Sequence, residues 1–126
     1  MNPQQQQHLK ETVQRLSQLP YVNAIILFGS HARGTARQDS DIDIAVLTEN
    51  ATEKQEWEII EKTDTLDINA FSSLPLIIQF RVLAEGKILY VKNEKVLQKK
   101  KANILRKYLA IEPFLEQTAR RILAHV

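Results

Sequence analysis

Cysteine is absent from the 126 residues. That excludes disulfides, thiolate zinc sites and a cysteine nucleophile. It fits a reducing compartment, so a cytoplasmic protein is the expectation. No apolar run approaches the roughly 18 residues that a membrane span needs. The start of the chain, Met1 to Lys10, is polar and rich in glutamine, with none of the apolar core of a secretory signal. The three histidines show no metal-ligand spacing, so zinc is not suggested. A formal net charge of +2 is too small to draw nucleic acid by itself, and no direct nucleic-acid partner is expected. What remains is ordinary for a globular protein: 44% hydrophobic and 25% charged residues. This length is that of one domain, expected over residues 1–126.

The charge is unevenly placed. Acids gather from Asp39 to Asp67, and seven basic residues lie between Lys92 and Lys107 with Glu94 as the one acid among them. The basic run is either a solvated helix face or a docking surface for a protein or phosphate-bearing partner.

Periodicity sets the element order. Gln4 to Leu19 carries Leu9, Val13 and Leu16 at helical spacing, and Pro20 stops it. Val22 to Phe28 is short, apolar and β-branched, a buried strand. Gly29-Ser30 breaks it, one helical turn fits Ser30 to Arg33, and Gly34 ends that turn. Arg37 to Ser40 reads as polar loop. From Asp41 to Leu47, Ile42, Ile44 and Val46 alternate with Asp41, Asp43 and Ala45, so a strand carries both acids on one face. Thr52 to Lys62 reads as a helix anchored by Trp57 and Ile60, and Leu66 to Phe71 as a strand interrupted by Asn69. Leu74 to Glu85 reads as a helix with Pro75 in its first turn and Gly86 as C′. Lys87 to Val91 is a last strand, and residues 92–126 are helix-prone, with Pro113 kinking or splitting them. Phe71, Phe80 and Tyr90 join Trp57 as expected core. The fold class is therefore α/β or α+β: a small mixed sheet of about four strands flanked by helices, with a helical C-terminus.

The chemistry gathers between Leu27 and Leu47. Gly29 lets a phosphate approach the backbone. Ser30 offers a hydroxyl and an amide at a helix start, where free N–H groups attract anions. Asp41 and Asp43 point the same way, roughly 7 Å apart along the strand. Two such like charges repel unless a hard cation neutralises them, and Mg²⁺ prefers carboxylates together with substrate phosphates. Metal-assisted phosphoryl or nucleotidyl transfer has this layout.

Gly29-Ser30, ten intervening residues and Asp41-Ile42-Asp43 resemble the signature of the DNA polymerase β-like nucleotidyltransferase superfamily. The fuller string, Gly29-Ser30-x-Ala32-Arg33-Gly34 followed by Ser40-Asp41-x-Asp43, resembles its minimal nucleotidyltransferase (MNT) branch. The likeness continues through Glu85 to Tyr90 and through the helical segment around Arg106 to Glu116. The superfamily uses a third carboxylate on a later strand. Asp67 lies inside the β-like run and Asp64 precedes it as a turn residue, so Asp67 is chosen. Many relatives carry a further acid near position 70, where this chain has Ala70.

That resemblance implies an antitoxin of a HEPN/MNT pair: an enzyme that moves AMP from ATP onto a tyrosine of a helical HEPN ribonuclease toxin, releasing pyrophosphate and silencing the toxin within a hetero-oligomer. It implies two Mg²⁺ ions held by Asp41, Asp43 and Asp67, with Gly29 and Ser30 on the triphosphate. Arg33 is either a phosphate or acceptor contact or a salt bridge to the acidic strand. Ser40 either orients Asp41 or is a turn residue. His31 reads as a variable surface residue, and Tyr108 with the basic residues near it as a candidate toxin contact. Two other functions stay open: a non-catalytic toxin-binding module, and a nucleotidyltransferase with a small-molecule acceptor. The intact acid triad disfavours the first. The 35 residues after Val91 leave little room for an acceptor domain, which disfavours the second.

Overall fold

The computed structural model describes residues 1–37 and 40–124. Gln38 and Asp39 of the expected polar loop, and His125 and Val126 at the end of the expected helical segment, lie outside the described residues.

The chain begins with α1 (Pro3–Ser17), started by a reciprocal capping box between Asn2 and Gln5, with Pro3 in the first turn. Strand β1 (Val22–Phe28) follows, then the single turn α2 (Ser30–Arg33), β2 (Ile42–Thr48) and α3 (Glu53–Ile59). A two-residue strand β3 (Glu61–Lys62), β4 (Leu66–Ala70), a 3₁₀ turn (Phe71–Ser73), α4 (Leu76–Glu85), β5 (Lys87–Val91) and the long α5 (Glu94–Ala124) complete it. The five strands lie in the order β3-β4-β2-β1-β5. β2 runs parallel to β4 and antiparallel to β1, so the sheet is mixed as expected.

Both faces of the sheet are covered. Val22, Ile25 and Leu27 of β1, Ile42, Ile44 and Val46 of β2, and Leu66 and Ile68 of β4 form one core, with Leu9, Val13 and Leu16 of α1 packed on it. Ala24 and Ile26 of β1 and Ala45 and Leu47 of β2 form the other, closed by Val82 of α4 and Leu97 and Ile104 of α5. The unbroken apolar run of β1 reflects this double burial. In β2 and β4 the strict alternation sends Asp43, Asp67 and Asn69 to the α4/α5 side. Asn69 is tolerated in the strand because its amide donates to the carbonyl oxygens of Ile44 (3.3 Å) and Asp67 (3.4 Å).

Several expectations are corrected. The third helix ends at Ile59 rather than Lys62, because the chain turns extended at Ile60 and Glu61–Lys62 pair with β4 as a fifth, edge strand. Trp57 is 72% exposed and Ile60 38% exposed, whereas Ile59 is buried at 2% and anchors this helix. Gly86 is not in a left-handed C′ position, since its φ is −69°. Glycine is required there by crowding: a Cβ would strike the Val82 carbonyl oxygen and sit 2.5 Å from the Ile26 side chain. Of the two outcomes left open at Pro113, the split does not occur, because α5 runs through it as one helix. No helix among the described residues is long and apolar enough to cross a membrane.

Candidate active site

The end of β1, the start of β2 and the start of β4 meet at one end of the sheet. Asp43 is the register partner of Phe28 on one side and of Asp67 on the other. Gly29, directly after Phe28, has φ 75° and ψ −154°, a backbone state that side-chain-bearing residues avoid. Its neighbour gives a second reason for glycine: a Cβ there would lie 2.8 Å from the Asp43 Oδ2. The glycine thus keeps the backbone open beside a carboxylate. Ser30 then starts α2, whose amides of Ala32 and Arg33 both donate to the Gly29 carbonyl oxygen at 3.2 Å. Gly34 ends the turn in the left-handed region, φ 74°, with the Thr35 amide donating to the Ser30 carbonyl oxygen. This turn forms as its sequence predicted.

Three carboxylates share this end of the sheet. Asp43 and Asp67 are half-buried neighbours on parallel strands, and Asp41 is exposed one residue before β2. The carboxyl of Asp43 is raised above its ordinary value, chiefly by burial, then by the charges of Asp67 and Asp41. His31 and Lys62 oppose that rise. Asp64 sits exposed in the bend before β4, which leaves Asp67 as the strand-borne acid.

As they stand, no three acidic or histidine side chains among the described residues are gathered tightly enough to hold a metal ion. The donor set nevertheless suits a hard cation. It is carboxylate only, two members are adjacent on paired strands, and their repulsion is what a divalent ion would relieve. Asp41, Asp43 and Asp67 are the residues that would hold it.

The remaining expected residues take definite places. Arg33 pairs with Glu85 of α4 at 3.9 Å, not with the acidic strand, and both side chains are about half exposed. A pair of that kind contributes about 0–1 kcal/mol, so Arg33 is not fixed by it. Arg33 and Glu85 flank a small cleft of about 130 Å³ that reaches Gly29 and also includes Arg81. Ser40 uses its hydroxyl to accept from the Arg37 amide at 2.8 Å. Its carbonyl oxygen accepts from His31 Nε2 at 2.8 Å and from Gln5 Nε2 at 3.1 Å.

Gln5, Lys62 and Arg81 near the site are not signalled as site residues by the sequence, and the expectation for His31 is corrected. His31 is not a free surface residue, because it ties α2 to the backbone just before Asp41. Gln5, buried at 3% in α1, holds the same carbonyl from the other side. Lys62 is the register partner of Asp67. Arg81 lines the cleft at Gly29. The capping-box spacing at Asn2-x-x-Gln5 was a visible signal for Gln5, although not for its reach to Ser40.

Known proteins resemble this chain in sequence and in fold. Residues 9–95 match the family described as polymerase beta, nucleotidyltransferase. The protein adenylyltransferase MntA of Shewanella oneidensis is 32% identical over 78 residues, 57% of this chain and 56% of that protein. The match thus spans little more than half the length of that relative. A crystal structure of a toxin–antitoxin with AMP-PNP has a chain that superposes with a TM-score of 0.71 at 21% identity, covering 98% of this chain and 99% of that one. A chain from a complex of the tri-AMPylated Shewanella oneidensis HEPN toxin with its MNT antitoxin gives 0.70 at 21% identity, covering 94% and 98%. These two share the fold. With its strand–turn–strand frame and paired acids inside the matched span, the chain belongs to the polymerase β nucleotidyltransferase family.

Proposed function

We propose that this protein is a Mg²⁺-dependent nucleotidyltransferase that transfers AMP from ATP to a tyrosine of a cognate HEPN ribonuclease toxin, and so acts as its antitoxin in a hetero-oligomer within the cytoplasm. The whole chain, residues 1–126, would serve as one minimal domain. The observation that carries the reading is the pairing of Asp43 with Asp67 in register, beside a glycine whose missing side chain keeps the approach to them open. Likeness to a protein adenylyltransferase supports the choice of nucleotide and of a protein acceptor.

The chain's own residues supply position and charge. Gly29 and Ser30, both half-buried at the start of α2, receive the triphosphate on backbone and hydroxyl. Asp67, half-buried on β4, stands where the acceptor hydroxyl would approach and takes up its proton. The acceptor oxygen bonds to the α-phosphorus, the bond from that phosphorus to the bridging oxygen breaks, and pyrophosphate leaves with that electron pair. Magnesium, when bound by Asp41, Asp43 and Asp67, neutralises phosphate charge and acidifies the acceptor hydroxyl. The clamp of His31 and Gln5 on Ser40 holds the backbone that carries Asp41.

The test is direct. Purified protein, ATP, Mg²⁺ and the cognate HEPN protein are mixed, and the HEPN protein is weighed intact by mass spectrometry. The reading expects one or more AMP increments on a tyrosine and none with Asp43→Asn. An inhibited but unmodified partner would replace it with the binding-module reading.

A further inference from the structure

A second cavity lies far from the acids. Asp43 is the second residue of β2 and Thr48 the last, five residues or about 17 Å further along the strand. There, between the end of β2 and α5, lies a groove of about 480 Å³. Its floor is apolar, from Leu47 and Val96, and its wall is the α5 face bearing Lys99, Lys100, Asn103 and Arg106. Those positions recur at helical spacing, so one face of α5 aims three cations and an amide at the groove.

The charge is uncompensated. The groove contains one acid, Glu49, against three bases. The nearby Glu56 is engaged: its Oε1 accepts from the Thr48 hydroxyl at 2.8 Å and its Oε2 from the Ser72 hydroxyl at 2.9 Å. Glu94 accepts from the Gln98 amide at 2.9 Å. Among the described residues, the only ion pairs are Arg15–Glu61 and Arg33–Glu85, so Lys99, Lys100 and Arg106 have no carboxylate within 4.0 Å. The opposite rim is shaped by Asn50, held with φ 56°, and by the Glu49 amide donating to the Tyr21 carbonyl oxygen at 2.8 Å. A contiguous recess of about 180 Å³ shares Thr48, Asn50 and Lys100.

We propose that this groove is a second ligand site for a nucleotide-sized, phosphate-bearing molecule, separate from the acids. Lys99, Lys100 and Arg106 take the phosphates. Leu47 and Val96 lie under an apolar ring, and the Asn50 and Asn103 amides offer donors and acceptors to its edge. The size falls within that of small-molecule pockets, about 300–1,000 Å³. The basic run of α5 is thereby more than a solvated face.

The probe is ADP with a chelator and no divalent cation, followed by amide chemical shifts of the full chain. The chelator leaves the paired acids repelling phosphate, so binding there is suppressed. Saturable shifts are expected at Thr48, Glu49, Asn50 and Asn103. Combining Lys99→Ala with Arg106→Ala is expected to weaken binding by about tenfold or more. Both side chains are exposed, so the fold is expected to survive and is checked in the same spectra. Inorganic phosphate and adenosine are run as separate arms and are each expected to bind more weakly than ADP. Absent shifts at millimolar ADP, or unchanged affinity in the double variant, would overturn the proposal. Phosphate binding as tightly as ADP would overturn the nucleotide assignment, leaving a plain anion contact. The outcome is independent of whether AMP transfer occurs.

Discussion

Asp43 and Asp67 stand opposite each other on the parallel strands β2 and β4, and both face the side of the sheet that α4 and α5 cover. Burial and the two neighbouring acids raise the Asp43 carboxyl above its ordinary value of 3.8. The folded protein therefore binds that proton more readily than the unfolded chain. By linkage, Asp43 weighs least on stability below 3.8, and its destabilising effect grows as pH rises through the folded value. Asp43→Asn is expected to melt higher than the parent at neutral pH, with the gap closing as pH falls below 4. It is also expected to lose AMP transfer. Thermal melts of both proteins across that range check the sign. Added Mg²⁺ is expected to raise the melting point of the parent and to raise that of the variant less, because a ligand stabilises the state that binds it.

Gly29 and Gly34 both have positive φ, yet different surroundings. A Cβ on Gly34 meets nothing within 4 Å, so Gly34→Ala carries only the conformational cost, about 1 kcal/mol. A Cβ on Gly29 also strikes the Asp43 carboxylate. Gly29→Ala is expected to cut transfer by about a hundredfold, since a shift of one ångström in a positioned group costs that much. Gly34→Ala is expected to retain most of the activity. Initial rates of AMP transfer, measured beside denaturant melts, separate the two.

The Ser40 carbonyl has two donors, His31 and Gln5. Removing either leaves the other in place, so His31→Ala and Gln5→Ala are each expected to lower the transfer rate modestly. The double variant leaves neither side-chain donor on the carbonyl, and its loss is expected to exceed the sum of the two by about 0.5–2 kcal/mol in a double-mutant cycle. Simple additivity would mean that the two side chains do not act on one strand entry. Gln5→Ala carries an additional stability cost of about 1 kcal/mol, because its side chain also closes the capping box of α1.

How far the fold could be read from residues depended on how local each cause was. The alternation of Ile42, Ile44 and Val46 with the acids is a property of consecutive residues, and it placed Asp43 on its face without a structure. The Gly29–Gly34 turn is equally local. The clamp on Ser40 is not, because Gln5 reaches it across 35 residues and no periodicity encodes that contact. The end of α3 is not legible in consecutive residues for a related reason. Thr52-x-x-Gln55 marks its start by capping chemistry, but its end is set by pairing of Glu61 and Lys62 with β4. That pairing also turns Ile59 inward and leaves Trp57 outside. Ile59→Ala is therefore expected to cost about 2–5 kcal/mol, and Trp57→Ala less than about 0.5 kcal/mol, by urea denaturation.

Helix α5 leaves the body of the protein part-way along. Leu97 and Ile104 are its buried residues, and Tyr108 stacks on Phe80 of α4 with ring centroids 4.0 Å apart and planes 9° from parallel. Beyond that stack, from Glu112 to Ala124, every residue is exposed, including Phe114, Ile122 and Leu123. An exposed helical stretch contributes only its own marginal propensity, because most helical stability in proteins comes from packing a face. Pro113 is tolerated there for the same reason, since the hydrogen bond it removes lies where little else depends on it. Ending the chain after Glu112 is accordingly expected to leave the melting transition within about 0.5 kcal/mol of the parent. Tyr108→Ala removes the stacked pair, worth about 0.5–1.5 kcal/mol beyond its buried area, and is expected to destabilise more than the truncation does. If the shortened chain instead melted much lower than Tyr108→Ala, residues 113–124 would have to be packed against something in solution, such as a second copy, and sedimentation of both proteins would reveal it.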